Sequence, residues 1–190
     1  MQNITVFGAG LSTSVLIDYL LDQAISQDWQ VRVGDRDIES AKAKIKGHDR
    51  GDAFEFDVTN EFQRLEEISK ADLVISMLPA SMHVEVAREC IGLKKHMVTA
   101  SYVSKEMHEL NTDAVQAGVI LMNELGVDPG IDHMSAMKVL DDIRSKGGTL
   151  LQFESFTGGL PAPESDDNPW NYKFAWNPRN VVLAGSAGAV

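Results

Sequence analysis

Short runs of apolar residues alternate with more polar segments along most of the chain. The apolar runs predict strands at residues 4–7, 30–33, 53–58, 71–77, 96–99 and 119–122. The segments between them predict helices at 11–26, 38–46, 82–93 and 105–117, and Thr59 or Asn60 is predicted to cap a further helix. Strand and helix therefore follow each other repeatedly, which predicts an α/β fold with a doubly wound parallel sheet.

The hydrophobic pattern changes after the helical segment that ends near Gly147. Thr149–Phe156 alternates apolar and polar residues, as in an antiparallel strand with one solvated face. We therefore predict a first domain at residues 1–147 and the beginning of a second, α+β domain at residues 148–190. Because so few residues belong to it, the second domain is predicted to be incomplete, as in a fragment, a truncated product or a short form.

The first predicted strand ends in a glycine-rich loop, Gly8–Thr13, that passes directly into a predicted helix. Gly8 allows a sharp turn, and Gly10 has no side chain to keep a pyrophosphate away from the backbone. The amides that follow lie at the positive end of the helix, where an anion binds favourably. Thr13 stands where the dinucleotide-binding fingerprint has its third glycine, so the loop alone also fits an ordinary tight turn.

Further candidate ligand contacts lie at the same edge of the predicted sheet. Asp35, Asp57, Leu78-Pro79 and Ala100-Ser101 each follow the carboxyl end of a predicted strand. Open α/β sheets bind their ligands at that edge. Together with the glycine loop, this placement predicts a Rossmann-type dinucleotide-binding domain.

The residues after the second predicted strand give opposite indications about the cofactor. Asp35 is placed to accept hydrogen bonds from both hydroxyls of an adenosine ribose and to repel a 2′-phosphate. Arg36 could pair with that phosphate, or it could be a solvated residue at the start of the next helix. Asp37 adds a further negative charge. On charge, we predict that the protein prefers NAD over NADP.

Composition narrows the class of protein further. With 190 residues, of which 44% are hydrophobic, the chain can form one good core and part of a second. A net charge of -11 repels phosphate backbones and argues against nucleic acid as a partner. The single cysteine, Cys90, lies in a helical pattern and is predicted to be a buried, inert thiol. No stretch of the sequence resembles a signal peptide or a membrane span, so we predict a cytoplasmic protein without a membrane partner.

A longer motif follows the last predicted strand. The residues Asn123–Met134 read NELGVDPGIDHM and resemble the N-E-x-G-x-D-P-G-I-D-H-M signature of saccharopine dehydrogenases of the glutamate-forming type, also called saccharopine reductases. Other stretches are similar to the same family, in the same order: Ser76–Pro79 followed by His83, Val98–Ser104, Gly158–Glu164, and Asp167–Pro169 with Tyr172–Trp176. The resemblance therefore extends over the whole chain.

The resemblance implies an NAD(P)-dependent oxidoreductase of lysine metabolism. Such an enzyme interconverts saccharopine with L-glutamate and 2-aminoadipate 6-semialdehyde by hydride transfer, and its full-length form is expected to be a homodimer. Two alternatives stay open: a dehydrogenase of another amino-acid imine, as in carboxynorspermidine-forming relatives, and a cofactor-binding module without catalysis.

The resemblance also implies which positions form the site. Cofactor contacts are implied for the phosphate loop, the ribose end, the adenine side and the nicotinamide side: Gly8, Ala9, Gly10, Leu11, Ser12, Asp35, Arg36, Asp57, Val58, Leu78, Ala100, Ser101, Val127 and Pro129. The implied substrate contacts are Ser101, Tyr102 and Asp128, with Tyr102 and Asp128 as the candidate catalytic residues.

Several of these residues also have a purely structural interpretation. Asp128 precedes Pro129-Gly130 and could cap the helix that begins at Ile131. Tyr102 could be a packed aromatic residue with an outward hydroxyl. His83 is predicted to be an exposed residue in the first turn of its helix.

The remaining charged candidates are weaker. Asp132 and His133 are adjacent and are not expected to face one site, so no metal centre is predicted. Lys173 and Arg179 could bind a substrate carboxylate or could be surface charges. Ala175 stands where the family usually has serine, so a hydroxyl contact at this position is absent.

Overall fold

The structure is a computed structural model that describes residues 1–156 and 158–173 of the chain. Within this part, six strands form one parallel sheet in the order β3-β2-β1-β4-β5-β6. The strands are β1 (Gln2–Phe7), β2 (Trp29–Asp35), β3 (Gly51–Glu55), β4 (Leu73–Ser76), β5 (His96–Thr99) and β6 (Leu121–Met122). The predicted doubly wound parallel sheet is therefore confirmed.

Helices connect the strands, as parallel pairing requires. They are α1 (Ser14–Ala24), α2 (Ile38–Ile45), α3 (Glu61–Lys70), α4 (His83–Gly92), α5 (Lys105–Glu109), α6 (Asn111–Ala117) and α7 (Ile131–Ser145), with short 3-10 turns at Leu11–Thr13, Ala80–Met82 and Pro163–Ser165. As predicted for one of two candidates, Asn60 caps α3, and its side chain accepts a hydrogen bond from the Gln63 amide.

The core is divided between the two faces of the sheet. Val6 and Phe7 are adjacent on β1 but belong to two different clusters of buried side chains, because successive residues of a strand point to opposite faces. Val6 packs in the cluster that contains Ile17 of α1, and Phe7 stacks on Phe56 with ring centroids 4.1 Å apart. Burial of both faces explains why the strands read as apolar runs rather than as alternating ones.

Some predicted boundaries differ from the structure. The predicted helix at 11–26 begins as a 3-10 turn, and its buried face is formed by Ile17, Leu20, Leu21 and Ala24, while Val15 and Tyr19 are exposed. The predicted helix at 105–117 is broken into α5 and α6 at Leu110. The third strand ends at Glu55, so Asp57 lies in the loop beyond it.

The chain divides into two compact units, Met1–Asp142 and Ile143–Val190. The predicted antiparallel strand at Thr149–Phe156 is wrong, since the structure assigns no strand to these residues. An alternating pattern supplies one apolar face but does not supply the neighbouring strand that the backbone needs for hydrogen bonding. The predicted domain boundary between residues 147 and 148 stays a prediction.

Two further sequence interpretations concern Cys90 and the membrane. Cys90 is fully buried in α4, as predicted, and burial raises the pKa of its thiol to about 12, as expected for an unreactive thiol. Within residues 1–156 and 158–173, none of the helices combines the length and the apolar character needed to cross a bilayer.

Candidate functional site

A cleft of about 250 Å³ lies at the carboxyl ends of the first four strands. It is lined by Gly8, Gly10, Gly34, Asp35, Arg36, Phe56, Asp57, Val58, Thr59, Met77, Leu78, Pro79 and Met82. The cleft brings together the predicted phosphate loop, ribose-end residues, adenine-side residues and Leu78. Pro79 was also predicted at this edge, whereas the remaining lining residues were not predicted as ligand contacts: Gly34, Phe56, Thr59, Met77 and Met82.

The glycine loop has the geometry that a dinucleotide requires. Gly8 has a φ of +104°, and a Cβ there would lie 2.8 Å from the Met77 carbonyl oxygen, so only glycine fits. A Cβ on Gly10, in contrast, would meet no atom within 4 Å, which leaves room for a ligand against the backbone. Thr13 is buried and its hydroxyl donates to the Gly10 carbonyl at 2.8 Å. The threonine thus takes the place of the third glycine without preventing close packing of the helix.

Asp35 braces this loop. Its Oδ2 accepts a hydrogen bond from the Ala9 amide at 2.7 Å, and its Oδ1 accepts one from the Asp37 amide at 3.0 Å. Each carboxylate oxygen is therefore already bound to a backbone amide. The carboxylate holds the end of β2 against the glycine loop, a role that the sequence spacing did not indicate.

Arg36 is the cationic residue of the cleft wall. It lies beside Asp57, whose pKa is lowered by the amide and hydroxyl of Thr59 and, to a smaller extent, by the positive charge of Arg36. The Asp57 Oδ1 accepts from both Thr59 groups, at 2.9 and 2.8 Å. Arg36 is thus placed between the second and third strand ends, where the adenosine end of a dinucleotide lies in this type of fold.

Arg64 of α3 holds the loop after β3 in place. The Arg64 guanidinium is nearly buried, and its Nη1 donates to the Val58 carbonyl at 2.6 Å. Its Nε and Nη2 donate to the Glu89 carboxylate on α4 at 3.0 and 2.7 Å, and the hydrogen bonds to Glu89 raise the Arg64 pKa. This ion pair fixes the loop that carries Asp57 and Val58. No pattern in the sequence pairs these two residues.

Replacing Arg64 by leucine is expected to lower the free energy of unfolding by about 3 kcal/mol, because the nearly buried Glu89 loses its partner. Lys42→Leu is the matched control, since Lys42 and Glu39 form an exposed pair whose loss is expected to cost less than about 1 kcal/mol. Urea unfolding of both variants measures the difference. Equal losses would show that the Arg64 pair has no structural role.

A histidine is buried near the ends of β4 and β5, on the side where the sequence predicts the nicotinamide. His83 is only 3% exposed, so the prediction of an exposed first-turn residue is wrong. The 3-10 turn Ala80–Met82 that precedes α4 turns the ring inward, where Nδ1 contacts the Ser76 hydroxyl and Nε2 contacts the Ser101 hydroxyl, both at 2.8 Å. Burial lowers the pKa of His83 to about 4, so the ring is neutral at neutral pH.

This burial predicts a pH-dependent stability. Because the folded pKa is about 4 and the unfolded pKa is the ordinary 6.5, the unfolded chain binds more protons between these values. The contribution of the neutral ring is therefore complete above pH 6.5 and is lost as the pH falls towards 4. Over this pH range, the free energy of unfolding of the wild type should fall by up to about 3 kcal/mol more than that of His83→Gln. Parallel pH profiles of the two proteins would contradict the assignment.

The two candidate catalytic residues are hydrogen-bonded to each other. The Tyr102 hydroxyl donates to Oδ1 of Asp128 at 3.1 Å. Partial desolvation and then the hydrogen bond and charge of Asp128 raise the Tyr102 pKa. The first amides of α7, from Ile131 and Asp132, donate to the Gly126 and Val127 carbonyls, each at 3.0 Å. The helix start is thus satisfied by backbone carbonyls, and the alternative that Asp128 caps α7 is not supported.

The loop after β6 is fixed against the end of β5. The Leu125 amide donates to the Thr99 carbonyl, and the Glu124 amide donates to the Ser101 carbonyl at 3.0 Å. A Cβ on Gly126 would be 3.4 Å from the Ala100 side chain, which shows how closely the two segments pack. These contacts bring Val127 and Pro129, two implied cofactor contacts, to the same strand end as Ala100 and Ser101.

Asp132 and His133 are not among the residues that line the cleft. Contrary to expectation, Asp132 and His133 contact each other in the first turn of α7, with Oδ1 and Nδ1 2.8 Å apart. Lys173 forms an ion pair with Asp167. Arg179 and Ala175 lie outside the described residues. In the described part, no group of three or more His, Cys, Asp or Glu side chains could hold a metal ion; the absence of a metal stays a prediction.

The parallel sheet, the glycine loop and the cleft beside it define a Rossmann-type dinucleotide-binding domain. Residues 4–122 match the family model of the saccharopine dehydrogenase NADP-binding domain, and residues 126–190 match the saccharopine dehydrogenase C-terminal domain. The chain belongs to the saccharopine dehydrogenase family.

Individual relatives are similar over nearly the whole chain. Saccharopine dehydrogenase (NADP+, L-glutamate-forming) of Pyricularia oryzae is 43% identical over 96% of this chain and 40% of its own length. The alpha-aminoadipic semialdehyde synthase of Arabidopsis thaliana is 43% identical over 86% of this chain and 15% of its own. The structure of apo saccharopine dehydrogenase (L-Glu forming) from Saccharomyces cerevisiae has a TM-score of 0.86 at 39% identity, covering 97% of this chain and 40% of that chain. The chain thus spans about two fifths of the length of these dehydrogenases.

These relatives bear on the cofactor. The matched domain is described as NADP-binding, and the Pyricularia oryzae enzyme is named for NADP+. The expected preference for NAD is therefore not supported. In the structure, both oxygens of Asp35 accept hydrogen bonds from backbone amides, so this carboxylate also has a structural role beside the glycine loop.

Proposed function

We propose that the protein is an NADP-dependent oxidoreductase that interconverts saccharopine with L-glutamate and 2-aminoadipate 6-semialdehyde in lysine metabolism. The observation that carries this proposal is the cleft, in which an open glycine loop and a cationic Arg36 lie at one sheet edge. The similarity to L-glutamate-forming saccharopine dehydrogenases supports the choice of reaction. The same similarity also favours this enzyme over a dehydrogenase of a different amino-acid imine.

The residues of the cleft suit NADP. The loop at Gly10 leaves room for a pyrophosphate, and the amides of Leu11 and Ser12 begin a helix and are free of intrahelical partners. Arg36 supplies the charge that a 2′-phosphate requires, while Asp35 keeps the loop in place. The bound nicotinamide would supply the hydride chemistry, and the protein would bind and orient it.

Tyr102 and Asp128 are proposed to act on the substrate. Asp128 accepts a hydrogen bond from the Tyr102 hydroxyl and thereby holds it in one orientation. Tyr102 and Asp128 are both exposed to solvent, so a substrate nitrogen can approach their side chains. In this arrangement the pair holds a proton near the nitrogen of saccharopine, as general acid-base catalysis requires.

Saccharopine-dependent reduction of NADP+, followed by the absorbance of the reduced nicotinamide, tests this function. We expect Asp128→Asn to lower turnover at least about tenfold, because the amide keeps the size of the carboxylate but loses its charge and basicity. Since Asp128 does not cap α7, the melting temperature and the affinity for NADP should be unchanged.

Two outcomes would contradict the proposal. Full activity of Asp128→Asn would remove Asp128 from the catalytic machinery. Binding of NADP without any reduction in the presence of saccharopine would favour the alternative of a cofactor-binding module that does not catalyse the reaction.

A further inference from the structure

His83 connects the ends of two strands, β4 and β5, at the start of α4. Its Nδ1 contacts the hydroxyl of Ser76, the last residue of β4, and its Nε2 contacts the Ser101 hydroxyl just beyond β5. The Thr99 hydroxyl lies 3.4 Å from the same Nε2. The buried ring, which belongs to the first residue of α4, therefore connects the ends of β4 and β5.

The backbone of Ser101 is fixed independently of the ring. Its carbonyl accepts a hydrogen bond from the Glu124 amide at 3.0 Å, and its amide donates to the Thr99 hydroxyl at 3.3 Å. The direction of the Ser101 hydroxyl is then the remaining freedom at this position. The hydrogen bond to His83 removes that freedom.

We propose that His83 is a positioning residue that fixes the Ser101 hydroxyl in the orientation needed to bind the nicotinamide end of NADP. This inference rests on the proposed cofactor, and it adds to that proposal a residue that does not itself touch the ligand. The segment that leads into His83 supports the location, since Pro79 and Met82 line the cofactor cleft.

Positioning fits the chemistry of this histidine better than proton transfer. Burial keeps the ring neutral at neutral pH, so it has one donor nitrogen and one acceptor nitrogen. Its contact on the Nδ1 side, Ser76, is fully buried and leads to no solvent or ligand. The nitrogen that carries the proton donates to its serine, and the other nitrogen accepts from its serine. The ring therefore determines whether the Ser101 hydroxyl donates or accepts towards the cleft.

Two isosteric variants separate the two sides of the ring. The side-chain amide of asparagine reaches the position of Nδ1, whereas that of glutamine reaches the position of Nε2. His83→Asn should keep the contact with Ser76 and lose the one with Ser101, and His83→Gln should do the reverse. Both variants remove one buried hydrogen bond, so similar decreases in melting temperature are expected.

The affinity for NADPH is the measurement that distinguishes them. His83→Asn should bind NADPH about five- to tenfold more weakly than the wild type, the effect of one net hydrogen bond, while His83→Gln should stay within about twofold. Ser101→Ala should weaken binding as much as His83→Asn does. The double variant should show no further loss, because both substitutions remove the same interaction.

The proposal is overturned if His83→Asn and His83→Gln bind NADPH equally well, or if the effects of His83→Asn and Ser101→Ala add. Should His83→Asn fail to fold, Ser101→Ala is compared with Ser76→Ala. Ser76→Ala keeps the contact between Nε2 and Ser101, so its NADPH affinity should stay within about twofold of the wild type, as for His83→Gln; a loss as large as that of Ser101→Ala contradicts the proposal. Failure of the wild type to bind NADPH would instead contradict the proposed function.

Discussion

Gly10→Val is expected to lower the affinity for NADPH at least about a hundredfold without changing the stability of the fold. A side chain at this position meets no protein atom within 4 Å, so the folded protein accommodates it. The backbone of Gly10, with φ −66° and ψ −179°, is also accessible to valine. The valine methyl groups then occupy the space in which the pyrophosphate must lie.

Gly92→Val is a matched control for this variant. Gly92 ends α4, and a Cβ there also meets nothing within 4 Å, but the residue does not line the cleft. Titration with NADPH and thermal unfolding of both variants should show lost affinity only for Gly10→Val. Unchanged NADPH affinity of Gly10→Val would exclude the glycine loop as the cofactor site.

Arg36→Ala is expected to lower the affinity for NADPH about ten- to a hundredfold and to leave the affinity for NADH nearly unchanged. The reason is that a charge-assisted hydrogen bond to the 2′-phosphate contributes to the binding of NADPH alone. Competition between the two cofactors for the wild type and the variant measures the selectivity. Equal losses for both cofactors would show that Arg36 does not recognise the 2′-phosphate.

Asp35→Ala provides the contrast to this result. Removal of the carboxylate leaves the Ala9 and Asp37 amides without their acceptor and releases the glycine loop. Both NADPH and NADH should therefore bind more weakly, in similar proportion. A gain in NADPH affinity would instead restore the sequence-based interpretation, in which Asp35 repels the 2′-phosphate.

The architecture could be predicted from the sequence because it depends on local patterns. Apolar runs such as Leu73–Ser76 are buried on both faces of a parallel sheet, and glycine at position 8 is required by its left-handed φ. The residues that give each of these signals lie within a few positions of one another in the sequence. The edge of the sheet at which ligands bind then follows from the direction of the strands.

The details of the site depend on contacts between residues far apart in the chain. Asp35 lines the cleft at the end of β2, but its hydrogen bond to the Ala9 amide spans 26 positions and gives it a structural role. The burial of His83 arises from the 3-10 turn before α4 and from Ser101, which lies just beyond the end of β5. Side-chain identity and spacing along one segment carry no information about these partners, so the exposure of His83 was predicted wrongly and the predicted preference for NAD is not supported.

Titration of the wild-type chain with NADPH and with NADH is the most direct test that this family member uses its cleft for NADP. The open loop at Gly10, the cation at Arg36 and the engaged carboxylate of Asp35 predict that NADPH binds at least about tenfold more tightly than NADH. Tighter binding of NADH, or no binding of either cofactor, would contradict this assignment of the cleft.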